Sequence, residues 1–182
     1  MEPKPRAILD FYGCLNFSDS FWHSPLPMFA NLPDVAPEFL AQVFDEEIPT
    51  WTPSSMQRPP PGTTGPPKPD LSRPRSAWLW TALKKGFHLE NVVKDGDYAR
   101  VDPVSLFSAE FPPTIFLHGN KDTMVDFKFS KFAYESLRDL GVETELLVVE
   151  GGNHIFDAPL KEGMPEWEKV EAGFEFLAKH VI

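Results

Sequence analysis

Two short loops in this sequence hold the residue types that acid–base chemistry needs. The stretch His118-Gly119-Asn120-Lys121-Asp122-Thr123-Met124-Val125-Asp126 follows one apolar run, and Glu150-Gly151-Gly152-Asn153-His154-Ile155-Phe156 follows another. In parallel sheets, functional groups collect at the carboxyl ends of the strands, where loops run into helix N-termini. Neighbouring strands lie about 4.8 Å apart, so an acid after one strand and a histidine after the next can meet. An aspartate so placed holds an imidazole in one tautomer and stabilises its protonated form. Asp122 and His154 are therefore the candidate catalytic pair. Asp126 is a second carboxylate that could share the acid role.

The elements that must position these residues are clearest in the last third. Pro113 to Gly119 reads as a buried strand and Glu143 to Val149 as another. Between them, Phe127 to Leu140 places Phe129, Phe132, Ala133, Ser136, Leu137 and Leu140 at helical spacing, with Gly141 beyond its end. Pro165 to Lys179 is a closing helix with Trp167, Val170, Phe174 and Leu177 on one face. Its acidic residues come first and its basic ones last, which suits the helix dipole. Near the start, Arg6 to Gly13 is apolar without clean alternation, the pattern of a parallel strand buried on both faces.

The middle is looser. Asp34 to Glu47 predicts a short helix, capped near Asp34, with Phe39, Leu40, Val43 and Phe44 as its stripe. Pro49 to Pro74 is proline-dominated and predicts polyproline II or ordered loop. Ser76 to Gly86 predicts a helix capped by Ser76 and stopped by Gly86.

The stretch from Pro112 to Gly119, with Asp122 and Val125, resembles the catalytic-acid segment of α/β-hydrolases in the esterase/lipase and prolyl-oligopeptidase-like branch. Gly151-Gly152-Asn153-His154-Ile155-Phe156 resembles their histidine loop, and Ala7 to Gly13 with Asn16 to Asp19 is similar to the strand after their nucleophile elbow. The resemblance covers both ends of the chain. It implies a truncated α/β-hydrolase fold: a short parallel sheet with flanking helices and a proline-rich cap or lid insertion. The expected organisation is one domain, with 1–14 and 89–182 as core and 15–88 as insertion. It departs from the family pattern at Asp126, where proline often stands. It departs further in having no G-x-S-x-G and no HGG-like stretch for an oxyanion hole.

Cys14, at the end of the first strand, is the substitute nucleophile candidate, since a thiolate paired with His154 would be competent. Gly13-Cys14-Leu15-Asn16 is not a strand-to-helix elbow, however, and a small buried thiol is the plainer reading. Ser18 and Ser20 read as turn residues, and His118 as structural. His23, His88 and His180 read as surface groups without an acidic partner in sequence. Trp51, Trp78 and Trp80 could line an acyl pocket or pack a core.

Composition excludes several classes. The chain has 182 residues, room for one domain, and its 42% hydrophobic content is ordinary globular material. A net charge of −10 without a Lys/Arg cluster argues against nucleic acid or an anionic membrane. One cysteine excludes an internal disulfide and a Cys-based zinc site. Gly62-Thr63-Thr64-Gly65 lacks the Lys-Ser/Thr of a phosphate loop, so no cofactor and no metal are expected. The sequence opens without a signal-peptide core and holds no run of about 18 apolar residues, which predicts a soluble cytoplasmic protein.

Three functions follow as expectations. The first is action on a small ester, lactone or related carbonyl compound through the Asp122–His154 pair, with a serine supplied from elsewhere. The second is non-hydrolytic isomerisation or cyclisation with that pair as general base. The third is a non-catalytic binding module. The first strand is expected to lack a neighbour on one side. Such an edge invites pairing, which predicts self-association or a partner chain over it.

Overall fold

The computed structural model describes residues 5–47, 50, 54–57 and 68–181. In chain order these form β1 (Ile8–Phe11), α1 (Pro37–Ala41), β2 (Met56–Gln57), β3 (Lys68–Pro69), α2 (Pro74–Lys85), α3 (His88–Val92), β4 (Thr114–Gly119), α4 (Lys128–Asp139), β5 (Thr144–Val149) and α5 (Trp167–Val181). The chain divides into two compact units. One joins Met1–Ser18 to Asp97–Ile182, and the other is Asp19–Gly96.

The first unit is α/β: a three-stranded parallel sheet of order β1-β4-β5 with helices packed on it. All six residues of β4 are buried, because it alone has a neighbour on each side. Ile115, Leu117, Val170 and Phe176 form the core, with Ala7, Leu9, Phe11, Leu147 and Phe156 packed against them. Helix α4 turns Phe129, Ala133 and Leu137 inward, as its spacing predicted, while Phe132 and Leu140 stay exposed.

β1 differs from its expectation. It is shorter than Arg6–Gly13 and only half-buried throughout, because it pairs with β4 alone. Tyr12 N continues the ladder to Leu117 O at 2.9 Å. The chain then turns at once, with Asp10 Oδ1 accepting from Gly13 N at 2.7 Å.

The second unit is built around α2. Ala77, Trp80 and Ala82 are buried, and Trp80 meets Phe29 edge-on at 5.1 Å. The cap is Arg73, not Ser76: Pro74 fixes the first helical turn, and the buried Ser76 hydroxyl donates instead to Ser55 O. Gly86 ends α2 in the left-handed region at φ 76°. A Cβ there would sit 2.5 Å from the Ser24 backbone, so only glycine fits. α1 is also shorter than predicted, starting at Pro37, and none of its residues is buried. Asp34 lies outside it and pairs with Lys84 at 2.8 Å. Val43, Phe44, Trp78, Leu79 and Val92 line an apolar groove of about 560 Å³ in this unit. Trp51, Pro59-Pro60-Pro61, Gly62–Gly65 and Pro66-Pro67 lie outside the described residues.

Among the described residues, no helix is long and apolar enough to cross a membrane.

Candidate active site

The loops after β4 and β5 are drawn together by backbone before any side chain acts. Asn120 N donates to Val149 O at 3.1 Å and Lys121 N to Gly152 O at 2.9 Å. The approach is so close that a Cβ on Gly119 would lie 2.3 Å from Gly152 O. Asn120 ties the crossing further, its Oδ1 accepting from Gly151 N at 2.8 Å. Asn153 Oδ1 accepts from Thr123 N at 3.3 Å and from His154 N at 2.8 Å.

Asp122 hangs from this crossing with its side chain fully buried. Its Oδ1 accepts from Met124 N at 2.8 Å and Val125 N at 2.9 Å, the local turn that aspartate favours. Its Oδ2 accepts from His154 Nδ1 at 2.8 Å. Burial alone would raise its pKa. The hydrogen bonds from His118, His154, Val125 and Met124 more than offset that, and hold the carboxyl well below the usual carboxylate range.

His154 keeps 20% of its side chain exposed, and its Nε2 has no partner among the described residues. With Nδ1–H given to Asp122, the lone pair of the uncharged ring sits on Nε2. That is what a general base needs.

His118 reaches the acid from inside the fold. It is fully buried, with Nε2 3.0 Å from Val125 O and 3.3 Å from Asp122 Oδ2. Both neighbours are acceptors, so Nε2 carries the proton. Nδ1 lies 2.6 Å from the equally buried Ser130 Oγ. Ser130, His118 and Asp122 thus repeat the Ser-His-Asp set of residues, but all three side chains are fully buried. The i, i+4 spacing of His118 and Asp122 was the only sequence signal for this contact.

Other expectations need correction. Asp126 does not share the acid role: its Oδ1 accepts from Lys128 N at 2.9 Å, at the start of α4. Cys14 is exposed rather than buried, and it makes no hydrogen bond with His154. Desolvation by surrounding atoms, and then the charges of Asp10 and Asp122, push its thiol up to about 11, which works against thiolate chemistry. His180 has an acidic partner after all, with Nε2 3.3 Å from Glu143 Oε2. His88 is no surface group: its Nδ1 is buried without a partner among the described residues, and burial, then His23, lowers its pKa. Among the described residues no group of three or more His, Cys, Asp or Glu could hold a metal.

No protein-family model matches this chain. Its sequence is 29% identical over 210 residues to the non-reducing polyketide synthase adrD of Penicillium rubens, an alignment covering 100% of this chain and 8% of that protein. It is 27% identical over 215 residues to the non-reducing polyketide synthase ausA of Emericella nidulans, covering 97% of this chain and 8% of that one. This chain therefore spans under a tenth of the length of these relatives. Among solved structures, Thermogutta terrifontis esterase 2 phosphoramylated by tabun is similar, with 26% identity over 50% of this chain and 35% of that one, at a TM-score of 0.43.

Proposed function

We propose that this chain is an α/β-hydrolase-like, product-release module of polyketide type, in which Asp122 and His154 act as a general acid–base pair on an acyl ester or thioester. The observation that carries the reading is the 2.8 Å bond from His154 Nδ1 to a buried, ionised Asp122, with Nε2 unpartnered among the described residues. Support for the substrate class comes from the relatives named polyketide synthases, which align with 97–100% of the chain. A synthase of that kind must part with its finished acyl chain, to water or to a nucleophile within the chain itself.

Nε2 takes a proton from the acyl acceptor as its oxygen bonds the carbonyl carbon. The tetrahedral intermediate then collapses, and Nε2–H returns the proton to the leaving thiolate or alkoxide. Asp122 stays a carboxylate throughout and stabilises the imidazolium between the two transfers. No serine or cysteine hydrogen-bonds to Nε2 among the described residues. That favours direct activation of the acceptor, and keeps base-catalysed cyclisation as the second reading. In both readings residues 15–88 form an insertion into a single domain, and the side of β1 away from β4 is where a neighbouring strand would add.

Turnover of a short β-ketoacyl N-acetylcysteamine thioester by the whole chain, followed by mass spectrometry, tests this. Release or cyclisation should fall at least about 100-fold in His154→Ala, and undiminished turnover would refute the assignment. A fluorophosphonate probe tests whether the chain uses a covalent nucleophile instead, because direct activation and base-catalysed cyclisation both leave no adduct on it.

A further inference from the structure

Tyr12 holds a backbone conformation that its side chain should avoid. Its φ is 44°, in the left-handed region, where a bulky residue is an outlier. Gly13 follows it immediately and could take that conformation without penalty. A second outlier lies close by: Ile155, a β-branched residue, sits at φ 59° directly after His154. Strained residues persist where surrounding structure over-determines them, and they gather at functional sites.

The contacts of Tyr12 show what over-determines it. Its backbone N is fixed to Leu117 O at 2.9 Å, at the end of β4. Its hydroxyl donates to Asp157 Oδ1 at 2.9 Å, 145 residues away in sequence. Burial, and then the Asp157 carboxylate, push the phenol upward, so the hydroxyl stays protonated and keeps donating. Its ring meets His154 edge-to-face at 4.7 Å and 61°, and Phe156 at 5.9 Å and 81°. One side chain therefore touches the imidazole and two residues just beyond it.

We propose that Tyr12 is the positioning residue for His154: its ring braces the imidazole against rotation away from Asp122, and its hydroxyl latches the histidine loop to the end of β1 through Asp157. The inference rests on reading His154 as the base. Asp122 fixes one end of the imidazole at Nδ1, and a single hydrogen bond leaves the ring free to swing about it. The Tyr12 ring removes that freedom. The hydroxyl latch removes a second one, that of a loop whose Asn153 and Ile155 are both exposed.

The test is the water-exchange rate of the His154 Nδ1–H proton, read by NMR on the full chain. The set is the parent chain, Tyr12→Phe, Tyr12→Leu, Asp157→Ala and Asp157→Asn. Exchange should quicken at least about tenfold in Tyr12→Leu, which loses both ring and latch. Tyr12→Phe and Asp157→Ala, which each keep the ring and lose only the latch, should both fall between it and the parent. Asp157→Asn should match the parent, because its amide oxygen still accepts from the phenol. A merely structural role would lower the melting temperature and leave the exchange rate alone. A rate within twofold of the parent in a folded Tyr12→Leu overturns the proposal. Should that variant not fold, equal rates in Asp157→Ala and Asp157→Asn overturn it instead. Thioester turnover is a separate readout: a parent chain that turns over nothing counts against the base assignment, while the exchange series still decides whether Tyr12 positions the ring. Where turnover is present, kcat should drop in Tyr12→Leu with KM held.

Discussion

Asp122 and Asp70 are both buried carboxylates at the entrance to a helix, one in each unit, and they are used in opposite ways. Asp70 accepts from Gln57 Nε2 at 2.9 Å, Ser72 N at 3.0 Å, Ser72 Oγ at 2.6 Å and Arg73 Nε at 2.8 Å. Every one of those donors is consumed in holding β2, β3 and the start of α2, and its charged partner is an arginine that never gives up its proton. Asp122 accepts two backbone bonds and lies 3.3 Å from the buried His118 Nε2, but its remaining partner, His154, is an imidazole whose other nitrogen has no partner among the described residues. Both carboxyls are held below the usual range, Asp70 chiefly by Ser72. A depressed carboxylate therefore does not mark chemistry by itself. What marks it is a partner that can still exchange a proton.

The contrast breaks most visibly in Asp122→Asn. The amide no longer favours the Nδ1–H tautomer, so acyl release should fall about 10³- to 10⁴-fold while the fold survives. Turnover close to that of the parent would make Asp122 a second Asp70. Asp70→Ala should do the reverse, costing about 2–4 kcal/mol of stability for four lost hydrogen bonds, measured by urea unfolding. It should leave the His154 ring signals in place.

Legibility in the sequence follows the same division. β4, α4, β5 and α5 could be read directly, because each is long and keeps one hydrophobic period against a single core. Asp122 and His154 could be read because each falls in a loop directly after such a strand. What failed was orientation. Asp126 has the right residue type four places on, yet it turns to Lys128 N at the start of α4. Ser76 looked like a cap, but Pro74 had already set the helix start. The partners of His118, Ser130 and Val125, were hidden because a burial of 0% depends on how α4 crosses β4 and not on spacing. Tyr12 was hidden for a related reason. Nothing in Tyr-Gly-Cys announces that the tyrosine, and not the glycine, takes the positive φ.

Acid sharpens the comparison further. A carboxyl whose folded pKa is depressed contributes stability that is complete above its unfolded value, near about 3.9, and is lost as pH falls through the folded one. Asp122 and Asp70 both belong to this class, so stability should decline below about pH 4, and Asp70→Ala should flatten that decline. Asp10 runs the other way. Burial, outweighing the Gly13 N–H and His118, raises its pKa, so it costs stability as pH rises from the unfolded value, near about 3.9, through the folded one. Asp10→Asn keeps an acceptor for Gly13 N and should raise stability in urea unfolding at pH 7 but not at pH 3, by less than about 1 kcal/mol. The smallest effect belongs to Arg75→Ala. It breaks an exposed pair with Glu46 at 2.8 Å and should change stability by no more than about 0.5 kcal/mol in urea unfolding.

The most direct measurement is ¹⁵N NMR of the His154 ring in the whole chain, at a pH where the ring is uncharged. The geometry predicts a protonated Nδ1, hydrogen-bonded to Asp122, and an unprotonated Nε2. A ring that carries its proton on Nε2 and leaves Nδ1 bare would contradict it.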